Sequence, residues 1–287
     1  MTLRAGFIGL GNQGLPIASN LAPAGFETTV YDLAAEPVAE VVKTGAVAAS
    51  CPREVAERSD VIGICVPADD HVRAVCYGDD GVLAGAKPGA VIAIHSTILP
   101  ETAAEIARAA EPHGVAVLDA CVTGGATRAA QKQLTILAGG DAEVIERARP
   151  VLECSAVKLV HAGALGDGAR LKLCLNLITY VQWAAAYESY QLAEATGLPQ
   201  EVLEEAGRSN GQLTELMLNY RNGLKVPDDA AKTEGFQALM RGHLSVAEKD
   251  LAWILELARR SGITLPVSGL VSQLMARYYR VEDPKKR

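Results

Sequence analysis

The chain has 287 residues, 49% of them hydrophobic and 21% charged, the balance of a soluble globular protein large enough for two domains. A formal net charge of -7 excludes the positive field that nucleic-acid binding needs, and the one basic cluster, Lys285, Lys286 and Arg287, sits at the extreme C-terminus. The six cysteines are scattered with no Cys-x-x-Cys or Cys/His ligand spacing, so neither a disulfide framework nor a metal site is expected. No apolar run reaches the roughly 18–20 residues of a membrane span, and Met1 leads almost directly into an apolar strand without a signal peptide. The expected location is cytoplasmic, with reduced thiols.

Short apolar runs predict strands at 4–10, 28–31, 61–66, 90–94, 115–118, 134–138 and 157–160. Amphipathic segments such as 15–24, 53–58, 100–111 and 142–154 lie between them, several stopping at Gly or starting after Pro or Ser. Strand–helix alternation with β-branched strands predicts a Rossmann-type α/β domain, a doubly wound and mostly parallel sheet covered on both faces. From residue 166 the pattern changes to one helical run reaching Thr196, closed by Gly197 and Pro199. Further helices follow, with turn signals at 207–211, 222–223, 226–229 and 261–262. The expected organisation is a dinucleotide-binding domain at 1–165, then an all-α domain at 166–287 that opens with a long interdomain helix, 166–196.

Gly9, Leu10, Gly11, Asn12, Gln13 and Gly14 follow the first strand and open a helix. In that setting the first Gly makes the tight turn, the second admits a pyrophosphate and the third lets helix pack on strand. Asp32 ends the second strand, about twenty residues on, where a carboxylate accepts hydrogen bonds from an adenosine ribose. It would repel a 2′-phosphate, and no Arg or Lys follows before Lys43. NAD rather than NADP is the expected cofactor.

Lys172 and Asn176 lie four residues apart at the head of the long helix, so an amine and a carboxamide share one face. With the cofactor loop and the change of class, the chain resembles the β-hydroxyacid dehydrogenase family, which includes 3-hydroxyisobutyrate dehydrogenases. Four separated motifs carry the resemblance: Gly9–Gly14, Asp119–Gly125, Gly166–Gly168 with Lys172 and Asn176, and Lys249–Leu251. It implies that Thr123, Gly124 and Gly125 hold a substrate carboxylate, a role that a hydroxyl and unobstructed backbone N–H groups suit. It implies that Lys249, Ser96 and Thr97 lie beside the cofactor, and the cofactor set also takes in Val66 and Pro67. Lys172 then exchanges a proton with the substrate oxygen as hydride passes between the same carbon and the nicotinamide. A free lysine titrates near 10.4; desolvation and the positive nicotinamide ring would lower it. Asn176 would hold Lys172 or the reacting oxygen in line.

The expected function is NAD-dependent interconversion of a small 3-hydroxy acid and its semialdehyde or oxo acid. The implied partners are a small carboxylate substrate and further copies of the chain, as a homodimer or homotetramer. Alternatives are an imine reductase-like enzyme on the same fold and a non-catalytic NAD-binding module; Lys172 argues against the first, and Lys172 with Thr123-Gly124-Gly125 against the second. The chain departs from the family pattern at His95, Cys121, Thr123, Lys132 and Leu175, and these departures bear on which substrate it takes. Arg128 and His243 are further polar residues near the motifs, and Trp183 and Tyr187 read as packing residues.

Overall fold

The computed structural model describes residues 3–218 and 225–282; the turn signal at 222–223 and the basic cluster at 285–287 lie outside them. Two compact units divide the chain, Met1–Lys172 and Leu173–Arg287.

The first unit alternates strand and helix: β1 (Arg4–Ile8), α1 (Gly14–Ala18), β2 (Glu27–Tyr31), α2 (Ala35–Val42), β3 (Val47–Ala48), α3 (Pro52–Glu57), β4 (Val61–Ile64), α4 (Asp69–Cys76), α5 (Val82–Gly85), β5 (Val91–Ile94), α6 (Pro100–Ala110), β6 (Ala116–Thr123), α7 (Gly125–Ala130), β7 (Leu134–Gly139), α8 (Ala142–Leu152) and β8 (Ala156–Gly163). The strands form one sheet in the order β3-β2-β1-β4-β5-β6-β7-β8. Every neighbouring pair is parallel except β6 and β7, which run antiparallel with Cys121 opposite Leu137 and Thr123 opposite Thr135. Successive strand residues face opposite sides. Val61, Val91 and Ala93 therefore enter one core while Ile62, Ile64, Ile92 and Ile94 enter the other. Each fully buried Ile contributes roughly 1.5–3 kcal/mol, which explains why β4 and β5 read as unbroken apolar runs.

Some local features were not visible in the sequence. Strand β3 is two exposed residues long, too short to leave a period-2 pattern. The helix expected over 15–24 ends at Ala18 and resumes only as a 3-10 turn at Ala22–Ala24, because Pro23 has no N–H and its ring clashes with a carbonyl one turn back. Lys132 is held at φ 59°, closing α7 through its N–H to Ala129 O at 3.0 Å. A left-handed backbone costs a side-chain-bearing residue roughly 1–2 kcal/mol, partly offset by the greater unfolded-state freedom of Gly. Lys132→Gly is therefore expected to raise the unfolding free energy by about 0.5–1 kcal/mol, read from the urea midpoint. A lower midpoint would contradict this account.

The second unit is helical. One helix, α9 (Asp167–Thr196), starts at the end of the first unit and supplies its first long element; α10 (Gln200–Ser209), α11 (Asp228–Ala231), α12 (Glu234–Arg260) and α13 (Pro266–Tyr278) follow. Gly197 at φ 71° ends α9, and the Leu198 N–H returns to Ala193 O at 2.9 Å, the left-handed closure that Gly permits without steric cost. Leu173, Tyr180 and Ala184 of α9 pack with Leu244, Ala247, Leu251 and Ile254 of α12 and with Val271, Met275 and Tyr278 of α13. Trp183 meets Tyr180 and Tyr279 edge-on, and Tyr187 packs on Tyr278, the packing role expected for both. Among the described residues no helix is long and apolar enough to cross a membrane.

Candidate active site

The strand order reverses around β1, whose neighbours are β2 and β4, and in open α/β sheets ligands bind outside the carboxyl ends of the strands at such a point. The Gly9–Gly14 loop occupies it. The Gly9 N–H donates to Tyr31 O at the end of β2, and the Cys65 N–H after β4 donates to Ile8 O. Gly9 has φ 91°, and a Cβ there would lie 2.3 Å from Cys65 O. A Cβ on Gly14 would lie 1.9 Å from Gly9 O, whereas one on Gly11 would meet no heavy atom within 4 Å. Gly9 and Gly14 are thus required by the protein's own backbone; Gly11, which is exposed, is not. Asp32 accepts from the Leu10 N–H at 2.6 Å and the Ala34 N–H at 2.8 Å, so its carboxylate ties the cofactor loop to the end of β2. Asn12 is exposed, and Gln13 Nε2 is buried without a hydrogen-bond partner among the described residues.

The neighbouring strand ends carry the next expected residues. Ser96 is buried after β5 and its Oγ accepts from the Val66 N–H at 2.8 Å, joining the loops after β4 and β5. Pro67 is exposed and Thr97 half-buried. His95 points the other way, into the core: its ring stacks on Phe7 at 5.6 Å and its Nδ1 lies 2.8 Å from Ala120 O. A carbonyl only accepts, so Nδ1 carries the proton. Cys121, fully buried, donates its thiol to Ser96 O at 3.3 Å.

Burial holds the His95 pKa down at about 4, against its backbone hydrogen bond. Protonation is harder in the folded state than in the unfolded chain, so stability intact above pH 6.5 is lost as pH falls from there to about 4. Between those limits the wild type is expected to lose about 3 kcal/mol more unfolding free energy than His95→Gln. Parallel pH profiles of the two proteins in denaturant melts would refute this.

Strand β6 runs into Thr123, followed by Gly124 at φ 130° and Gly125 at φ 78°, where α7 begins. Both glycines are exposed and Thr123 is half-buried; Arg128 is exposed, with its Cδ 3.1 Å from the place of a Gly124 Cβ. Four residues before Thr123 the same strand carries Asp119, which is fully buried. Its Oδ1 accepts from the Gly166 N–H at 2.7 Å and its Oδ2 from the Ala169 N–H at 2.6 Å. It therefore caps α9, satisfying N–H groups that a helix start leaves unbonded. Burial raises the pKa of its carboxyl, and the two N–H donors oppose that rise. A Cβ on Gly168 would lie 2.5 Å from Leu137 O, and one on Gly139 would lie 2.5 Å from Asp119 Oδ1. The Gly166-Asp167-Gly168 motif is thus a close approach of helix to sheet. Lys172, half-buried, follows Ala169 by three residues on that helix.

Asn176 and Lys249 belong to the second unit, where they meet at Asp250. This carboxylate is 1% exposed; its Oδ2 accepts from Asn176 Nδ2 at 2.7 Å and from Tyr180 Oη at 2.9 Å. Lys249 Nζ lies 3.3 Å from Asp250 Oδ1 and over the Trp253 ring at 4.5 Å. Burial, reinforced by the Asp250 charge, raises the Tyr180 pKa well above its ordinary value. Because a carboxylate accepts, the Asn176 amide turns its nitrogen to Asp250 and its carbonyl oxygen elsewhere. His243 is exposed and stacks on Tyr279. No cluster of His, Cys, Asp and Glu among the described residues has the makings of a metal site.

Residues 4–163 match the family described as the NAD binding domain of 6-phosphogluconate dehydrogenase. The chain is 36% identical to an NAD-dependent L-serine dehydrogenase of Pseudomonas aeruginosa, over 93% of this chain and 89% of that one. It is 34% identical to a 3-hydroxyisobutyrate dehydrogenase of the same organism, over 94% and 90%. The structure of a Mycobacterium tuberculosis 3-hydroxyisobutyrate dehydrogenase with L-serine superposes with a TM-score of 0.81 at 30% identity, covering 98% of this chain and 94% of that one. The chain belongs to the β-hydroxyacid dehydrogenase family.

As a β-hydroxyacid dehydrogenase it takes NAD as cofactor, and its own geometry fits that group. Gly11 keeps a space clear that the protein's packing does not require, and Gln13 offers a buried donor in the same loop. Asp32 places a negative charge at the end of β2. Asp119 and Asp250 were assigned no role from sequence. Each left a signal: an acid inside the apolar run 115–122, and an acid on the apolar face formed by Ala247, Leu251 and Ile254. Charged residues are seldom fully buried unless bonded, so acids at core positions mark bonding partners.

Proposed function

We propose that this β-hydroxyacid dehydrogenase interconverts a small 3-hydroxy acid and its semialdehyde or oxo acid, with Lys172 as the proton-transfer group. The observation that carries the reading is Asp119. The strand that ends in the Thr123-Gly124-Gly125 loop also anchors, through Asp119, the helix turn that precedes Lys172. Bound NAD, held by Gly9–Gly14, Asp32, Val66, Pro67, Ser96, Thr97 and Lys249, supplies the hydride acceptor.

Thr123 and the two glycines hold the carboxylate by a hydroxyl and backbone N–H groups. Lys172, as a neutral amine, takes the hydroxyl proton while that carbon gives up its hydride and its C–O bond becomes a carbonyl. Protonated, it returns the proton to the carbonyl oxygen in the reverse direction and stabilises the developing alkoxide. Asn176, its nitrogen engaged by Asp250, offers its carbonyl oxygen as the acceptor for an ammonium or a substrate hydroxyl. Six scattered cysteines without ligand spacing suit a cytoplasmic enzyme with reduced thiols. Leu192 and Leu270, well exposed on α9 and α13, suit a homodimer or homotetramer.

The names of the relatives direct the test. NAD reduction is measured with L-serine and 3-hydroxyisobutyrate beside a panel of amines. Turnover of at least one 3-hydroxy acid is expected. Turnover of amines alone would make the enzyme an imine reductase, and silence across the panel would favour a binding module.

A further inference from the structure

We infer that Asp119 is a positioning residue for Lys172, setting the proton-transfer group in register with the substrate loop; this rests on the catalytic reading of Lys172. Asp119 has 0% exposure and spends both carboxylate oxygens at the start of α9, on the Ala169 and Gly166 N–H groups at 2.6 and 2.7 Å. The packing beneath that turn leaves no slack. Cβ atoms on Gly139 and Gly168 would lie 2.5 Å from Asp119 Oδ1 and from Leu137 O, and one on Gly168 would also lie 2.9 Å from Asp119 O and Oδ2. Gly166 adds a left-handed turn at φ 95° just before the helix.

Strand β6 is itself held on both sides, by β5 through 91–94 and by β7 through 135–139. The helix start cannot shift or rotate without breaking charge-assisted hydrogen bonds inside the fold, each worth roughly 1.5–3 kcal/mol. A displacement of about 1 Å in a reacting group is enough to cost on the order of 10²-fold in rate. The bonds run from one strand to one helix turn. The strand delivers Thr123 four residues later and the helix delivers Lys172 three residues after Ala169. Asp119 touches no reacting atom in this account and acts only through the turn it holds.

Asp119→Asn keeps the shape of the side chain but surrenders one acceptor and the charge. Its kcat, normalised to NAD-binding sites counted by fluorescence titration, is expected to fall about 10- to 100-fold with the NAD dissociation constant within twofold of wild type. In a Lys172→Ala background the same substitution should change the residual kcat by less than about twofold, because the group it positions is gone. An equal loss in both backgrounds would mean that Asp119 serves the fold generally, and would overturn the inference. So would a wild-type kcat in the single variant. Near-normal turnover by Lys172→Ala alone would instead overturn the catalytic reading. If Asp119→Asn yields no NAD-binding protein, Gly168→Ala, whose methyl crowds Asp119 Oδ2 as well as Leu137 O, is put through the same comparison and judged by the same outcomes.

Discussion

Lys172→Ala is expected to lower kcat by about 10²- to 10⁴-fold, the range a positioned acid–base group supplies, while the NAD dissociation constant stays within about twofold. A thousandfold loss corresponds to about 4 kcal/mol of barrier. Binding should survive because the Leu10–Asp32 and Val66–Ser96 hydrogen bonds hold the cofactor loop and the loops after β4 and β5 in place. Folding should survive because the side chain is half-buried and outside the apolar clusters of both units. Lys172→Arg separates charge from proton transfer. A guanidinium keeps the positive charge but does not deprotonate near neutral pH, so a general base is lost while an electrostatic clamp is kept. Both variants are expected to be nearly inactive in hydroxy-acid oxidation by steady-state assay. Wild-type activity in the alanine variant would remove Lys172 from the mechanism, and activity in the arginine variant alone would reduce its role to charge.

The second large effect lies in the cofactor loop, where two glycines should fail for different reasons. Gly14→Ala drives a methyl to 1.9 Å from Gly9 O, so α1 must move off the loop. A loss of about 1–3 kcal/mol in stability is expected from such overpacking, together with loss of measurable NAD binding. Gly11→Ala meets nothing within 4 Å, so its thermal midpoint should match wild type. Its methyl nevertheless occupies the surface along which the pyrophosphate approaches, and NAD affinity should fall at least about tenfold. Thermal denaturation and NAD titration on the two proteins read both quantities. If Gly11→Ala binds NAD normally, the dinucleotide does not cross that glycine and the assignment of the loop fails.

Local chemistry was enough for much of this protein. Gly9, Gly11 and Gly14 between a strand and a helix, and Asp32 at the next strand end, announce a dinucleotide domain, because turn geometry and charge are local properties. The unbroken apolar runs at 61–64 and 91–94 announce strands buried on both faces. The 30 residues of α9 stand out through an unbroken helical pattern and a Gly–Pro stop. Strand β3 escaped because two exposed residues have no period, and the break in 15–24 escaped because the apolar pattern continues through Pro23.

The roles of the acids depended on distant partners. Asp119 meets Gly166 and Ala169 across 47 and 50 residues, and Asn176 meets Asp250 across 74. No window of sequence contains both ends of such a bond, so its existence depends on which strand lies against which helix. Asp32 shows the same division within one residue. Its type and position announced a ribose ligand, yet only the folded chain shows its carboxylate holding the Leu10 and Ala34 N–H groups. Residue type and spacing named the chemistry available to this chain; long-range packing chose which buried groups hold that chemistry in place.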